Sequence, residues 1–137
     1  MWLFALMAVG CKNGSKGQYA SGKQDLRDEI MAIHDSVMPK MGDINRLKAT
    51  FERKLTETDD EQARQRYQAE IDRLERAGDL MMDWMHRWHQ QESKLDKESP
   101  GYKSFLLKQK KAIIAVSDSM YHAMQHAKQV LKDTGNE

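Results

Sequence analysis

The side chains that could do chemistry in this chain are mainly thioethers and imidazoles. Its 137 residues include ten methionines, five histidines and one cysteine. Thioethers are soft ligands that select Cu(I), and helical register predicts that methionines from three helices meet at one level, close to a histidine. We call this set the candidate metal layer, and its members are Met38, Met41, Met81, Met120, Met124 and His34. The competing interpretation, which the helical spacing favours, is that these methionines fill gaps in a core beside a proline and a glycine.

A second group combines a carboxylate with imidazoles. Asp118, His122 and His126 repeat every four residues, so they share one helix face and could bind a divalent metal. That face lies opposite the apolar stripe, and one exposed helix supplies too few ligands for a closed site. We therefore interpret this group as solvent-facing. His34 and His89 are at the edge of the stripe, and we expect them to be hydrogen-bonded boundary residues; for His34, a carbonyl freed by the nearby proline is the expected partner.

The motifs of common enzymes are absent from the sequence. It contains no G-x-S-x-G, H-E-x-x-H or C-x-x-C, and no Glu-x-x-His pair of the kind found in di-iron bundles. A filled three-helix core also leaves little room for a ligand pocket of several hundred Å³. The net charge is only +1, which gives no global field to attract nucleic acid. We predict a protein without catalytic activity, cofactor or nucleic-acid partner.

The beginning of the chain differs from the rest. Residues 2–9 are apolar and uncharged, and Gly10 and Cys11 follow them. This run is too short to span a bilayer, but it fits the apolar region of a signal peptide. The box Ala8–Cys11 resembles a bacterial lipoprotein signal, in which cleavage precedes a cysteine that becomes lipidated. We predict a signal peptide over residues 1–10 and membrane attachment through Cys11, which also explains a lone cysteine in an exported chain.

Residues 11–24 follow as the predicted lipidated cysteine and its tether. Glycine, serine and lysine dominate this stretch, and apolar residues do not recur in it with a helical period. Such composition is typical of a flexible linker. We therefore place the domain boundary at Asp25 and assign residues 25–134 to a helical bundle.

Apolar residues at steps of three and four predict three helices in this domain. The first begins at Asp25, and Pro39 should bend it without ending it, because the apolar stripe continues in phase. Thr58 is the expected N-cap of the second helix. Ser99 caps the third, which starts at Pro100 and runs to about residue 132.

Short connections between long helices produce antiparallel neighbours. The sequence thus predicts an all-α fold, an elongated antiparallel three-helix bundle whose first helix is kinked at Pro39.

Two segments of the domain carry a family resemblance. Residues 30–44 read IMAIHDSVMPKMGDI, and residues 81–85 read MMDWM. Together they resemble a family of small uncharacterised bacterial envelope lipoproteins that automated naming often labels "viral A-type inclusion protein". The resemblance implies a lipid-anchored envelope protein with a helical body and no assigned activity, and it implies no functional residues.

The expected function is that of an interaction or scaffold lipoprotein in the bacterial cell envelope, in the periplasm or at the cell surface. Trp84 falls off the main apolar stripe, and with Trp88 it is the candidate interface for a second copy or another envelope protein, since tryptophan commonly anchors interfaces. One alternative is a periplasmic Cu(I)-binding protein using the candidate metal layer. Another is a carrier of lipid or a hydrophobic ligand that opens at the Pro39 kink.

Overall fold

The computed structural model describes the backbone of residues 15–135 and the side chains of residues 22–135. The four helices are α1 Ser15–Val37, α2 Lys40–Glu57, α3 Glu61–Glu92 and α4 Pro100–Thr134. No strand occurs in this part of the chain, so the all-α prediction is confirmed. The predicted signal peptide and Cys11 lie outside the described residues.

The first helix begins earlier than predicted. α1 starts at Ser15, ten residues before Asp25, so it includes residues 15–24 of the segment that the sequence predicts as a tether. No apolar period marks this stretch, but a tertiary contact fixes its end. The Lys23 ammonium donates hydrogen bonds to the carbonyls of Lys97, at 2.9 Å, and Ser99, at 3.2 Å. These bonds attach α1 to the connection that precedes α4.

Pro39 divides the predicted first helix into α1 and α2. Proline has no N–H to donate to the carbonyl four residues earlier, so the regular ladder stops there. The turn is instead closed by tighter bonds, from Met41 N to Met38 O at 3.1 Å and from Gly42 N to Pro39 O at 3.2 Å. The bend at Met38–Pro39 is confirmed, but the helix is interrupted, so residues 15–135 form four helices where the sequence predicts three.

Most buried residues recur every seven positions. On α1 and α2 they are Ile30, Val37, Ile44 and Phe51. On α3 they form two columns: Tyr67, Leu74, Met81 and Trp88, and then Glu70, Ala77 and Trp84. On α4 the columns are Tyr102, Gln109, Val116, Ala123 and Val130, and then Leu106, Ile113, Met120 and Ala127. A seven-residue repeat keeps the apolar seam of each helix facing its neighbours, as in coiled coils.

Capping side chains fix the starts of α3 and α4. The prediction of Thr58 as a cap is wrong, because Asp60 caps α3: its carboxylate accepts hydrogen bonds from Gln62 N at 3.2 Å and Ala63 N at 3.3 Å. A carboxylate in this position also interacts favourably with the helix dipole. At α4 the predicted arrangement is confirmed, with the Ser99 hydroxyl accepting from Tyr102 N at 3.3 Å.

Contacts between the helices follow a consistent order. Arg27 of α1 meets Glu92 of α3, and His34 lies beside Trp84. Further along, Lys48 of α2 pairs with Glu75 at 3.8 Å. In these three contacts, the residue numbers increase along α1 and α2 while those of their partners on α3 decrease. Where Met41 crosses α3, a Cβ placed on Gly78 would stand 3.3 Å from the Met41 methyl, which explains the glycine as a point of close approach.

A polar cluster joins three helices near the α3–α4 connection. Arg27 Nε donates to Glu92 Oε1 at 2.6 Å, and the Tyr102 hydroxyl donates to the same oxygen at 2.9 Å. Burial opposes ionisation of Glu92, but the hydrogen bonds from Arg27 and Tyr102 outweigh it and hold the pKa of Glu92 below its usual value. Burial, together with the bond to Glu92, raises the pKa of Tyr102 to about 12.

We expect Tyr102 to ionise in a separate, late step. Because the folded state holds this proton more tightly than the unfolded chain, its contribution to stability is complete below about pH 10 and is lost as the pH rises toward 12. A titration followed by tyrosinate absorbance should show the late step, and Tyr102→Phe should remove it. Tyr121→Phe, at an exposed position, is the control and should leave the late step in place. An unchanged late step in Tyr102→Phe would contradict the assignment.

Candidate functional site

Both tryptophans proposed as an interface are buried. Trp84 is 2% exposed and Trp88 is 7% exposed, so the prediction that Trp84 lies outside the core is wrong. Trp84 belongs to the second seven-residue column of α3, which packs inward beside the first. Its ring lies 5.4 Å from that of Trp88, which in turn lies 5.5 Å from Phe105 on α4. Neither tryptophan offers an open surface to a partner.

The candidate metal layer is distributed through the core. Met81 and Met120 are fully buried and Met124 nearly so, while Met38 and Met41 pack against the core with part of their surface exposed. In the described part of the chain, no group of three His, Cys, Asp or Glu side chains is arranged to hold a metal ion. Any metal bound here would depend on sulfur ligands.

His34 has a different partner from the predicted one. Its Nδ1 lies 2.9 Å from the carboxylate oxygen Oδ1 of Asp35, and not against a freed carbonyl. The other ring nitrogen, Nε2, is buried and has no hydrogen-bond partner among the described residues, and the same holds for Nε1 of Trp84. The two rings are 5.8 Å apart. His89, predicted as a hydrogen-bonded boundary residue, is exposed.

An open groove of about 560 Å³ runs between α3 and α4, and we call it the α3–α4 groove. Its lining residues all come from these two helices: Arg73, Arg76, Ala77, Leu80, Ser119, His122, Ala123, Gln125 and His126. The small side chains of Ala77 and Ala123 are buried, and Leu80 is 41% exposed. The lining therefore combines apolar groups with guanidinium and imidazole groups, and it includes no carboxylate.

Beneath one end of the groove lies Glu70, a buried carboxylate that the sequence reasoning missed. Glu70 is 2% exposed. Its Oε2 lies 2.9 Å from His126 Nδ1, and its Oε1 lies 3.6 Å from Arg73 Nε. A buried carboxylate needs such partners, because desolvation of its charge is costly. Glu70 stands seven residues before Ala77, so its place in a core column was a signal that could have identified it.

Glu70 contacts one member of the predicted histidine group on α4. Asp118 and His122 are exposed, as predicted. His126 is exposed as well, with 51% of its side chain accessible, and its Nδ1 lies 2.9 Å from Oε2 of the buried Glu70, a contact that the sequence did not predict. The structure does not bring Asp118 to the groove lining, whereas His122 and His126 both lie there.

A second, smaller groove of about 220 Å³ lies between α2 and α4. It is lined mainly by polar side chains, Asp43, Arg46, Leu47, Thr50 and Lys128. Arg46 pairs with Asp43 inside it, so this lining already neutralises part of its own charge. The α3–α4 groove is larger, and its lining includes Arg76, which makes no ion pair with any described side chain, so it is the better candidate site.

Comparisons of the chain with protein-family models, with curated proteins and with solved structures gave no match. Within residues 15–135, no helix combines the length and the hydropathy that crossing a bilayer requires. The assignment of function therefore depends on the site geometry described above and on the sequence.

Burial of Trp84 gives a direct prediction for stability. Trp84→Ala removes a large side chain from the core and should lower the free energy of unfolding by about 3–5 kcal/mol. Urea denaturation followed by circular dichroism measures the change. Met82→Ala, a neighbouring position on α3 that is 50% exposed, is the matched control and should change stability by less than about 0.5 kcal/mol. Equal effects of the two substitutions would contradict the burial of Trp84.

Proposed function

We propose that this protein is a membrane-anchored lipoprotein of the bacterial cell envelope whose helical body is a non-catalytic interaction module. The box Ala8–Cys11 and the resemblance described above support the anchor and the location. The order of contacts along α1, α2 and α3 supports the finer architecture, an antiparallel three-helix bundle in which α1 and α2 together form one arm. The α3–α4 groove is the observation that supports the interaction role.

The proposed occupant of the groove is an amphipathic helix with acidic flanks, supplied by another envelope protein. Charge complementarity supports this choice. Arg76 makes no ion pair with any described side chain, and His122 is exposed beside it in the lining. A partner carboxylate would therefore gain a cationic neighbour without displacing an existing one, and such charges steer association and set its specificity.

The apolar part of the groove supports a helical occupant. Leu80 stands at the surface while Ala77 and Ala123 form a low floor, so a groove between two helices remains open to a third. An amphipathic helix can lay its apolar stripe into such a groove, with anchors at steps of three and four residues. A second copy using the same groove would face cationic groups with cationic groups, which is unfavourable.

The anchor can be tested on the full chain. Cys11→Ser removes the only thiol that could be lipidated, so we expect the variant to move from the membrane fraction to the soluble fraction of a bacterial host. Labelling with a fatty-acid analogue should mark the parent chain and not the variant. Ser15→Ala, which keeps Cys11, is the control. Retention of the Cys11→Ser variant in the membrane fraction without label would show that another element attaches the protein.

The interaction can be tested with two synthetic helical peptides of equal length that share a leucine stripe and differ only in having glutamate or lysine flanks. We expect the glutamate peptide to bind, with an affinity that falls as salt rises, because the contacts are partly exposed charges. Arg76→Glu or Leu80→Asp should weaken binding by at least about tenfold, or about 1.4 kcal/mol. Fluorescence anisotropy of labelled peptide measures each affinity.

Two control variants make this test specific. Arg66→Glu makes the same charge change at an exposed position of α3 outside the groove, and Leu107→Asp changes a leucine of similar exposure, 48%, on α4. Both should bind like the parent. Equal binding of the two peptides, or equal losses in the controls, would refute the proposed site. If the protein formed a dimer that Leu80→Asp dissociates, the groove would bind a second copy of the chain. If only anionic vesicles bound, the groove would contact a membrane.

A further inference from the structure

The two ring nitrogens of His34 are in environments typical of a metal-binding histidine. The Asp35 carboxylate lies 2.9 Å from Nδ1, and a carboxylate only accepts hydrogen bonds, so Nδ1 carries the proton of the neutral ring. The lone pair is then on Nε2, which is buried and has no partner among the described residues. Metal-binding histidines commonly donate their other ring N–H to a carboxylate in this way, which fixes the tautomer and raises the basicity of the ligating nitrogen.

Three methionines have positions near His34 along the helices. Met31 precedes His34 by three residues and Met38 follows it by four, so both lie on the same side of the helix. The hydrogen bond from Met38 N to His34 O, at 2.8 Å, continues the helical turn up to Met38. From α3, Met81 lies one turn from Trp84, whose ring contacts that of His34, and Met81 is fully buried.

The type of cation follows from these ligands. Thioethers and one imidazole are neutral and soft, a set that suits Cu(I) and disfavours Mg²⁺ or Ca²⁺, which require oxygen ligands. A single positive charge is also easier to bury than a double one. The Trp84 ring, 5.8 Å from the His34 ring, would add a favourable cation–π contribution.

We propose that Nε2 of His34, with thioethers of Met31, Met38 and Met81, binds one soft monovalent cation of the Cu(I) class. This site keeps three members of the candidate metal layer and adds Met31. Met41 is not part of it, because its methyl packs over Gly78, six residues before Trp84 on α3. The site is independent of the α3–α4 groove, since none of its residues lines the groove.

Silver(I) is the probe for the test, because it shares the ligand preferences of Cu(I) and does not change oxidation state under the assay conditions. The full chain with Cys11→Ser is used, so that the thiol cannot capture the metal. We expect one equivalent of Ag(I) to bind with a dissociation constant in the micromolar range or below, and to quench tryptophan emission. His34→Gln should weaken binding at least about tenfold, whereas His89→Gln, at an exposed position, should not.

A second pair of variants keeps the test valid if His34→Gln unfolds the protein. Met38→Leu preserves volume while removing a thioether, and it should weaken binding; Met82→Leu, at a position 50% exposed, is the matched control. Nitrogen NMR should show a shift of one imidazole Nε2 on adding Ag(I), absent in His34→Gln. Binding weaker than micromolar in the Cys11→Ser chain, or unchanged binding in both His34→Gln and Met38→Leu, would overturn the proposal.

Discussion

The seven-residue recurrence of buried side chains is the constraint on which the rest of the structure depends. It continues from Ile30 and Val37 to Ile44 and Phe51 through the break at Pro39, so two separate helices pack as one arm. Since apolar burial is the main favourable contribution to folding, maintaining the seam across the proline outweighs the hydrogen bonds that the proline removes. The tight turn at Met38–Pro39 keeps α2 in phase with α1, which a longer loop would not do.

Two carboxylates in or beside the seam each have a partner from a neighbouring helix. Glu70 takes a core position on α3 and is held by Arg73 and by His126 from α4. At the other end of the molecule, Arg27 and Tyr102 satisfy Glu92. These two clusters join helices that the apolar seam alone would hold without fixing their register, because a carboxylate that loses its partners in a buried place is strongly unfavourable.

The seam also decides where functional groups remain. Both tryptophans and three methionines of the candidate metal layer are buried in it. The candidate interaction surface is therefore the groove beside Ala77 and Ala123 and not the tryptophans. Small residues at these positions let α3 and α4 stand close and leave a depression between them. His34 and Trp84 each keep one buried ring nitrogen that has no hydrogen-bond partner among the described residues.

The sequence by itself determined the helical class, the bend at Pro39, the capping of α4 by Ser99 and most of the buried positions, because these follow from local periodicity and local hydrogen bonding. It did not predict the helix over residues 15–24 or the separation of α1 from α2. Near the end of that stretch, Lys23 contacts carbonyls more than seventy residues away, a tertiary contact that no local pattern specifies. The separation of α1 from α2 depends on whether the hydrogen bond removed by Pro39 interrupts the helix, which the apolar period does not show.

Only the tertiary structure decided the placement of Trp84, Glu70 and His126. The sequence of α3 shows one main apolar stripe. Because α3 packs against neighbouring helices on two sides, a second column of residues beside that stripe is buried as well. The pairing of Glu70 with His126 joins residues on different helices, and no pattern within either helix specifies it. The α3–α4 groove likewise exists only between helices, because its floor and its charged lining come from two segments that the chain brings together by folding.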